Sequence, residues 1–189
     1  MSEQLALYNL IARLGDEYGI KALKLLPEEQ QVEELEKLLR RYLKEGRLSD
    51  ATNIAKLLKR DLTTEELMKI LGQCVKEGFA DAQKETANLL FDRVLTTEEL
   101  GKILDIYVNA NWLDHARYTA KRFPEPQRTK ELEGILYRYF NQGFFVQARE
   151  TAGLLAEPQR THELTRILRA FLEEESIKEA RITADLILQ

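Results

Sequence analysis

The fold class this sequence predicts is all-α, an α-solenoid of about six stacked helix-turn-helix hairpins. Three observations predict it. The phrase EPQRTKELEGIL at 125–136 returns as EPQRTHELTRIL at 157–168, 32 positions on. Its leading leucine recurs as Leu35, Leu67, Leu100, Leu132 and Leu164, at spacings of 32, 33, 32 and 32. No stretch alternates apolar and polar residues with the period of two that a half-buried strand requires.

Within each repeat the first helix is marked by four apolar columns. Three and four residues after the leucine stand Leu38-Leu39, Ile70-Leu71, Ile103-Leu104, Ile135-Leu136 and Ile167-Leu168. Next come Tyr42, Cys74, Tyr107, Tyr139 and Phe171, each followed directly by Leu43, Val75, Val108, Phe140 or Leu172. Offsets of 3, 4, 7 and 8 form one broad face of an amphipathic helix.

A turn signal follows in register at Gly46, Gly78, Asn111, Gly143 and Glu175. Gly and Asn close helices in the left-handed conformation. The second helix carries Ala55, Ala87, Ala120, Ala152 and Ala184, with Ala51, Ala116, Ala148 and Ala180 four residues earlier. Gln83 interrupts that earlier column in the second repeat. Small side chains at i and i+4 let two helix axes approach closely.

Each repeat restarts with its own signal. DLTTEEL and VLTTEEL set Thr63 and Thr96 three residues before Glu66 and Glu99, the spacing of a capping box. All four prolines, Pro27, Pro124, Pro126 and Pro158, fall between repeats, where a missing N–H costs least. One extra residue in FDRVLTT accounts for the single spacing of 33. The expected organisation is a single repeat domain over 1–189: a degenerate hairpin at 2–27, then repeats near 28–60, 61–93, 94–125, 126–157 and 158–189. Stacking is the reason to repeat, because one hairpin cannot bury its apolar face alone.

Composition agrees with a packed protein. Hydrophobic residues make up 44% and charged residues 32%, enough apolar surface for a core. A net charge of -4 argues against sequence-independent nucleic-acid binding, which needs a basic face. The single cysteine, Cys74, rules out an intrachain disulfide and any multi-cysteine zinc site. The opening MSEQLALYNLIARLG has no basic leader, so no secretory signal is expected. A soluble, cytoplasmic protein is the expectation.

Few groups suggest catalysis, and no enzyme activity, cofactor or metal is expected. Cys74 sits in the Tyr/Phe column and reads as a small core residue. His115 and His162 fall in different repeats without metal-ligand spacing, and no glycine-rich phosphate loop occurs. What varies over the constant frame is surface. The candidate ligand-facing positions of the first helices are Arg40, Lys44, Lys76, Asp105, Asn109, Tyr137, Asn141, Arg169 and Glu173. Their last column drifts from Lys44 and Lys76 through Asn109 and Asn141 to Glu173, a gradient suited to an extended peptide acidic at one end. Gly72, Gly101 and Gly134 lie inside first helices at up to about 1 kcal/mol each against Ala, which close approach of a ligand or a neighbouring helix would explain.

Phe79, Trp112 and Phe144 follow the turn residue in the central repeats. The favoured expectation is that each ring packs onto the neighbouring hairpin; the rival is an exposed ridge that grips a partner. Lys37, Arg40, Arg41 and Lys44 form a basic stripe with Arg47, Lys59 and Arg60 nearby. The favoured expectation is a surface salt-bridge face, because Glu33, Glu34, Glu36 and Glu45 neutralise much of it; the rival is a stripe that holds phosphates. In the last helix, Ile182 takes a place held elsewhere by Asn53, Glu85, Tyr118 and Glu150, so that end is expected to meet another molecule, a second copy included, or to curl inward.

The run Tyr42-Gly46-Ala51 resembles the tetratricopeptide repeat, and KEGRLSDA at 44–51 also resembles pentatricopeptide repeats. The period of 32 departs from the 34 of the former, and Leu39, Leu71, Leu104, Leu136 and Leu168 stand where that family has a small residue. The resemblance implies a right-handed superhelix whose concave side binds a peptide: a non-catalytic protein-interaction scaffold. Pentatricopeptide proteins read RNA bases at fixed positions. The corresponding column here, Glu34, Glu66, Glu99, Glu131 and Glu163, is acidic throughout and opposes phosphate. Protein binding is therefore expected over RNA binding, with a self-assembling subunit as a further alternative.

Overall fold

The computed structural model describes Leu23 and residues 26–188. The degenerate hairpin expected over 2–27 lies almost wholly outside the described residues. Ten α-helices and no strand occur among the described residues: α1 (Glu28–Glu45), α2 (Leu48–Leu57), α3 (Thr64–Glu77), α4 (Ala80–Phe91), α5 (Thr97–Asn109), α6 (Leu113–Ala120), α7 (Gln127–Asn141), α8 (Phe145–Ala152), α9 (Gln159–Glu173) and α10 (Ile177–Ile187). The chain divides into two compact units, one ending at Asp92 and the other starting at Arg93. The break falls inside FDRVLTT, the stretch with the inserted residue.

In the first unit α1 and α2 form one hairpin, α3 and α4 another, and α1 packs on α3. In the second unit the hairpins are α5–α6, α7–α8 and α9–α10, with α6 packed on α7 and α8 on α9. The predicted columns are the cores of these units. Leu35, Leu67, Leu100, Leu132 and Leu164 are all buried, as are Tyr42, Cys74, Tyr107, Tyr139 and Phe171. Each fully buried leucine contributes about 1.5–3 kcal/mol relative to an exposed one. The following column weakens along the chain: Leu43 and Val75 are buried, whereas Leu172 is 52% exposed.

Local chemistry explains where helices begin. The Thr63 side chain accepts the Glu66 N–H at 3.2 Å, and the Thr63 N–H donates to Glu66 Oε2 at 2.8 Å. Thr96 and Glu99 repeat both bonds at 3.2 and 2.8 Å. The EPQRT phrase supplies a different cap. Glu125 Oε2 accepts from the Thr129 N–H at 3.2 Å and from its hydroxyl at 2.9 Å, and Glu157 accepts the Thr161 N–H at 3.3 Å. A carboxylate there also suits the positive end of the helix dipole. The Thr129 hydroxyl, foremost, holds the Glu125 carboxyl below its ordinary range.

The turns are left-handed at all five predicted positions, with φ of 70° at Gly46, 77° at Gly78, 59° at Asn111, 75° at Gly143 and 56° at Glu175. Register alone forces this on Glu175, a residue that disfavours it. The second helices bury Ala51, Ala55, Ala116, Ala120, Ala148 and Ala152, and bury Gln83 where the alanine column breaks.

A threonine column completes the second helices. Thr86, Thr119, Thr151 and Thr183 are fully buried. Each hydroxyl donates to the carbonyl four residues earlier, Ala82, His115, Gln147 or Glu179, at 2.6, 2.9, 2.7 and 2.8 Å. The hydroxyl is thus satisfied inside its own helix, and its methyl is free to pack. Between hairpins of the second unit, arginines bridge. Arg117 donates to Glu150 at 2.8 Å with its guanidinium 5.9 Å from the Tyr139 ring. Arg149, one repeat on, donates to Glu179 at 2.8 Å and lies 5.6 Å from the Phe171 ring.

Candidate functional site

The buried columns leave a stripe of each first helix facing solvent. In the first unit it holds Arg40, Lys44 and Lys76; in the second it holds Asp105, Asn109, Tyr137, Asn141, Arg169 and Glu173. All nine positions are exposed. Tyr137 is the largest apolar body among them, at 58% exposure, with the Arg166 guanidinium 6.0 Å from its ring. Arg166 itself stacks 3.8 Å over Phe140 and is held by Glu163 at 3.1 Å. An exposed phenol beside a fixed cation offers stacking and hydrogen bonding to a peptide at little entropic cost.

Two helix-interior glycines share this stripe. Gly101 lies four and eight residues before Asp105 and Asn109, and Gly134 three and seven before Tyr137 and Asn141. A Cβ added at either would meet nothing within 4 Å. Of the two explanations expected for them, close approach of a neighbouring helix fails.

The three turn aromatics differ from one another. Phe79 and Phe144 are 50% and 48% exposed, so neither ring is buried against a neighbouring hairpin. Trp112 is half-buried and packs within its own hairpin, 5.4 Å from His115, which in turn lies 5.2 Å from Tyr107. The ring that bridges hairpins is Phe145, one residue further on, 5.1 Å from Phe140 and 5.9 Å from Phe171. At this turn the expected packing falls to the residue after Phe144.

The basic stripe of α1 splits in two. Lys37 pairs with Glu33 and Glu34 at 2.9 and 2.8 Å, and Arg41 with Glu45 at 4.0 Å. Arg40 and Lys44 make no ion pair among the described residues. With Leu43 of the same helix and Lys69 and Gln73 of α3 they line a cleft of about 380 Å³. The acidic column is engaged locally throughout: Glu34 with Lys37, Glu66 with Arg60, Glu99 with Thr96, Glu131 with Gln127, and Glu163 with Arg166. Hydrogen bonds from Arg60, and then from Thr63, hold the Glu66 carboxyl below its usual range. These carboxylates serve the frame and are not aimed outward.

Chemistry at the remaining candidates is quiet. Cys74 is buried, its thiol donates to the Gly46 carbonyl at 3.4 Å, and burial pushes its pKa up. No group of three or more metal-ligating side chains gathers among the described residues. No helix among them is long and apolar enough to cross a membrane. The Tyr139 hydroxyl donates to Asp114 at 2.8 Å, and burial followed by that carboxylate raises its pKa. On the last helix pair Leu172, Ile177, Ile182 and Leu188 are exposed. No family model, curated protein or solved structure matches the chain.

Proposed function

We propose that the hairpins stack into a right-handed α-solenoid, tetratricopeptide-like in kind, that acts as a non-catalytic protein-interaction scaffold. An extended peptide lies along the solvent-facing stripe of the first helices, contacting Arg40, Lys44, Lys76, Asp105, Asn109, Tyr137, Asn141 and Arg169. The rings of Phe79, Trp112 and Phe144 add apolar contact at the hairpin turns. One observation carries the proposal: Gly101, half-buried on α5, and Gly134, exposed on α7, weaken helices where an added Cβ would crowd nothing, and exposed Tyr137 stands one turn after Gly134. A protein optimised for the frame alone would place alanine there.

The test compares partners captured by the wild-type chain and by Tyr137→Ala/Asn141→Ala/Arg169→Ala, quantified by mass spectrometry. All three side chains are exposed, so circular dichroism should be unchanged. Loss of specific partners from the triple variant is the expected result. Equal recovery from both proteins would discard the stripe. Self-association is the alternative that Leu172, Ile177 and Ile182 favour, since they expose apolar area on one helix pair. Light scattering over a range of concentrations decides it, and a strict monomer removes it.

A further inference from the structure

The cleft between α1 and α3 is built from two short ridges. Arg40 and Lys44 stand at i and i+4 on α1, and Lys69 and Gln73 at i and i+4 on α3. Four of its five lining side chains therefore present N–H donors, around the buried, apolar Leu43. Compensation within the protein is partial. Lys69 pairs with Glu65 at 2.9 Å, and Gln73 donates to Glu77 at 2.9 Å. The cations of α1 that face elsewhere, Lys37 and Arg41, have carboxylate partners, whereas the two that line the cleft have none among the described residues.

We propose that this cleft receives a phosphorylated side chain of the peptide partner. The proposal rests on the first-helix reading above and adds to it a ligand chemistry and an address. Charge sets the class. Lys69 is offset by Glu65, and Glu77 is engaged by the Gln73 amide. Arg40 and Lys44 are therefore the two cations of the cleft without a carboxylate partner among the described residues, and such a pair suits a phosphate monoester at about −1.5 to −2. Donor number agrees, because a guanidinium fork, two ammonium groups and an amide offer more N–H groups than one carboxylate accepts. A nucleic-acid strand fits less well, since it needs a track of cations and the neighbouring turns of α1 carry Glu33, Glu34, Glu36 and Glu45.

The experiment titrates the full ¹⁵N-labelled chain with three otherwise identical glycine-alanine peptides carrying a central phosphoserine, glutamate or serine. The phosphoserine peptide should shift the amide signals around Arg40, Lys44, Lys69 and Gln73 and bind at least about tenfold more tightly than the glutamate peptide. Arg40→Gln/Lys44→Gln, two exposed positions whose change leaves the fold intact, should lose at least about tenfold in affinity. Raising the salt concentration should weaken binding further. Equal binding of the glutamate and phosphoserine peptides, shifts that persist unchanged in the double variant, or tighter binding of an oligouridylate would each overturn the proposal. The two failures are separable. Partners that survive Tyr137→Ala/Asn141→Ala/Arg169→Ala but release the phosphoserine peptide in Arg40→Gln/Lys44→Gln refute the stripe and keep the cleft; the converse pattern refutes the cleft alone.

Discussion

Substituting the turn glycines by alanine tests the register and the packing of the first unit together. At Gly78 and Gly143 the backbone is left-handed, at φ 77° and 75°, and an added Cβ would meet nothing within 4 Å. Only backbone strain counts there. An L-residue in that conformation costs about 1–2 kcal/mol, and the alanine returns about 0.4–1 kcal/mol by restricting the unfolded chain. The net loss should be about 1 kcal/mol at each. Gly46 has the same backbone, at φ 70°, but its Cβ would stand 3.2 Å from Gln73 Cγ and 3.3 Å from Cys74 Sγ. Gln73 has room to move, whereas Cys74 is buried with its thiol on the Gly46 carbonyl. Overpacking of that kind adds about 1–3 kcal/mol, so Gly46→Ala should lose about 2–4 kcal/mol. Glu175→Gly runs the other way. Relief of its strain at φ 56° exceeds the entropy cost of glycine by about 0.5 kcal/mol. Urea melts followed by circular dichroism read the differences as midpoint shifts at constant slope. A Gly46→Ala midpoint equal to that of Gly78→Ala would refute the close approach of α3 to the first turn. An unchanged or lower midpoint for Glu175→Gly would refute the strained fifth turn.

Further outcomes follow from the same geometry. Gly101→Ala and Gly134→Ala should each raise stability by up to about 1 kcal/mol while lowering partner recovery, read by a melt and a capture assay. Thr63→Ala and Thr96→Ala should each lose about 1 kcal/mol, since each removes a side-chain cap on an N–H. Glu66→Gln should lose about 1 kcal/mol at neutral pH after allowance for solvent screening. Because the folded value of Glu66 is depressed by Arg60, its contribution is full above the unfolded value of about 4.3 and fades as pH falls through the folded one. Wild-type and variant melts should therefore converge in acid. Native Cys74 should react with a thiol reagent at least about a hundredfold more slowly than in urea, because it is buried with a raised pKa.

What was legible in the sequence is what repeats with a visible character. The leucine, isoleucine and tyrosine columns are apolar at helical offsets, so their burial follows from pattern alone. Register carried information that residue type did not: it placed Glu175 in a left-handed turn against its own preference. The threonine column was equally periodic, at 86, 119, 151 and 183, yet went unread because a hydroxyl normally marks surface. Only the bond to the carbonyl four residues back makes its burial cheap, and that bond is invisible before the helix exists. The adjacent rings Phe144 and Phe145 show a second limit. Either phase satisfies a hairpin turn, and which ring faces Phe171 depends on how α8 rolls onto α9. The splitting of the α1 stripe is a third. Pairing by spacing treats its four cations alike, whereas the packing of α1 on α3 turns Arg40 and Lys44 into a cleft shared with Lys69 and Gln73.

The division between frame and surface then bears on function through stability. Positions that repeat faithfully, the leading leucines and the Tyr/Phe column, are the buried ones, and each is explained by packing. Positions that vary, Arg40 to Arg169 along the first helices, are exposed, and packing places no demand on them. Gly101 and Gly134 belong to neither class. They are not turn residues, no neighbour lies within reach of a Cβ, and each weakens its helix relative to alanine. On the proposed function, each glycine leaves helix backbone open to a bound peptide. Both glycines sit one or two turns before the exposed polar residues Asp105 and Asn141, so the backbone they uncover and the side chains that would read a bound peptide occupy the same strip of helix. That coincidence, present in α5 and again in α7, is why the proposed peptide is placed chiefly along the first helices, with the hairpin-turn rings adding to it.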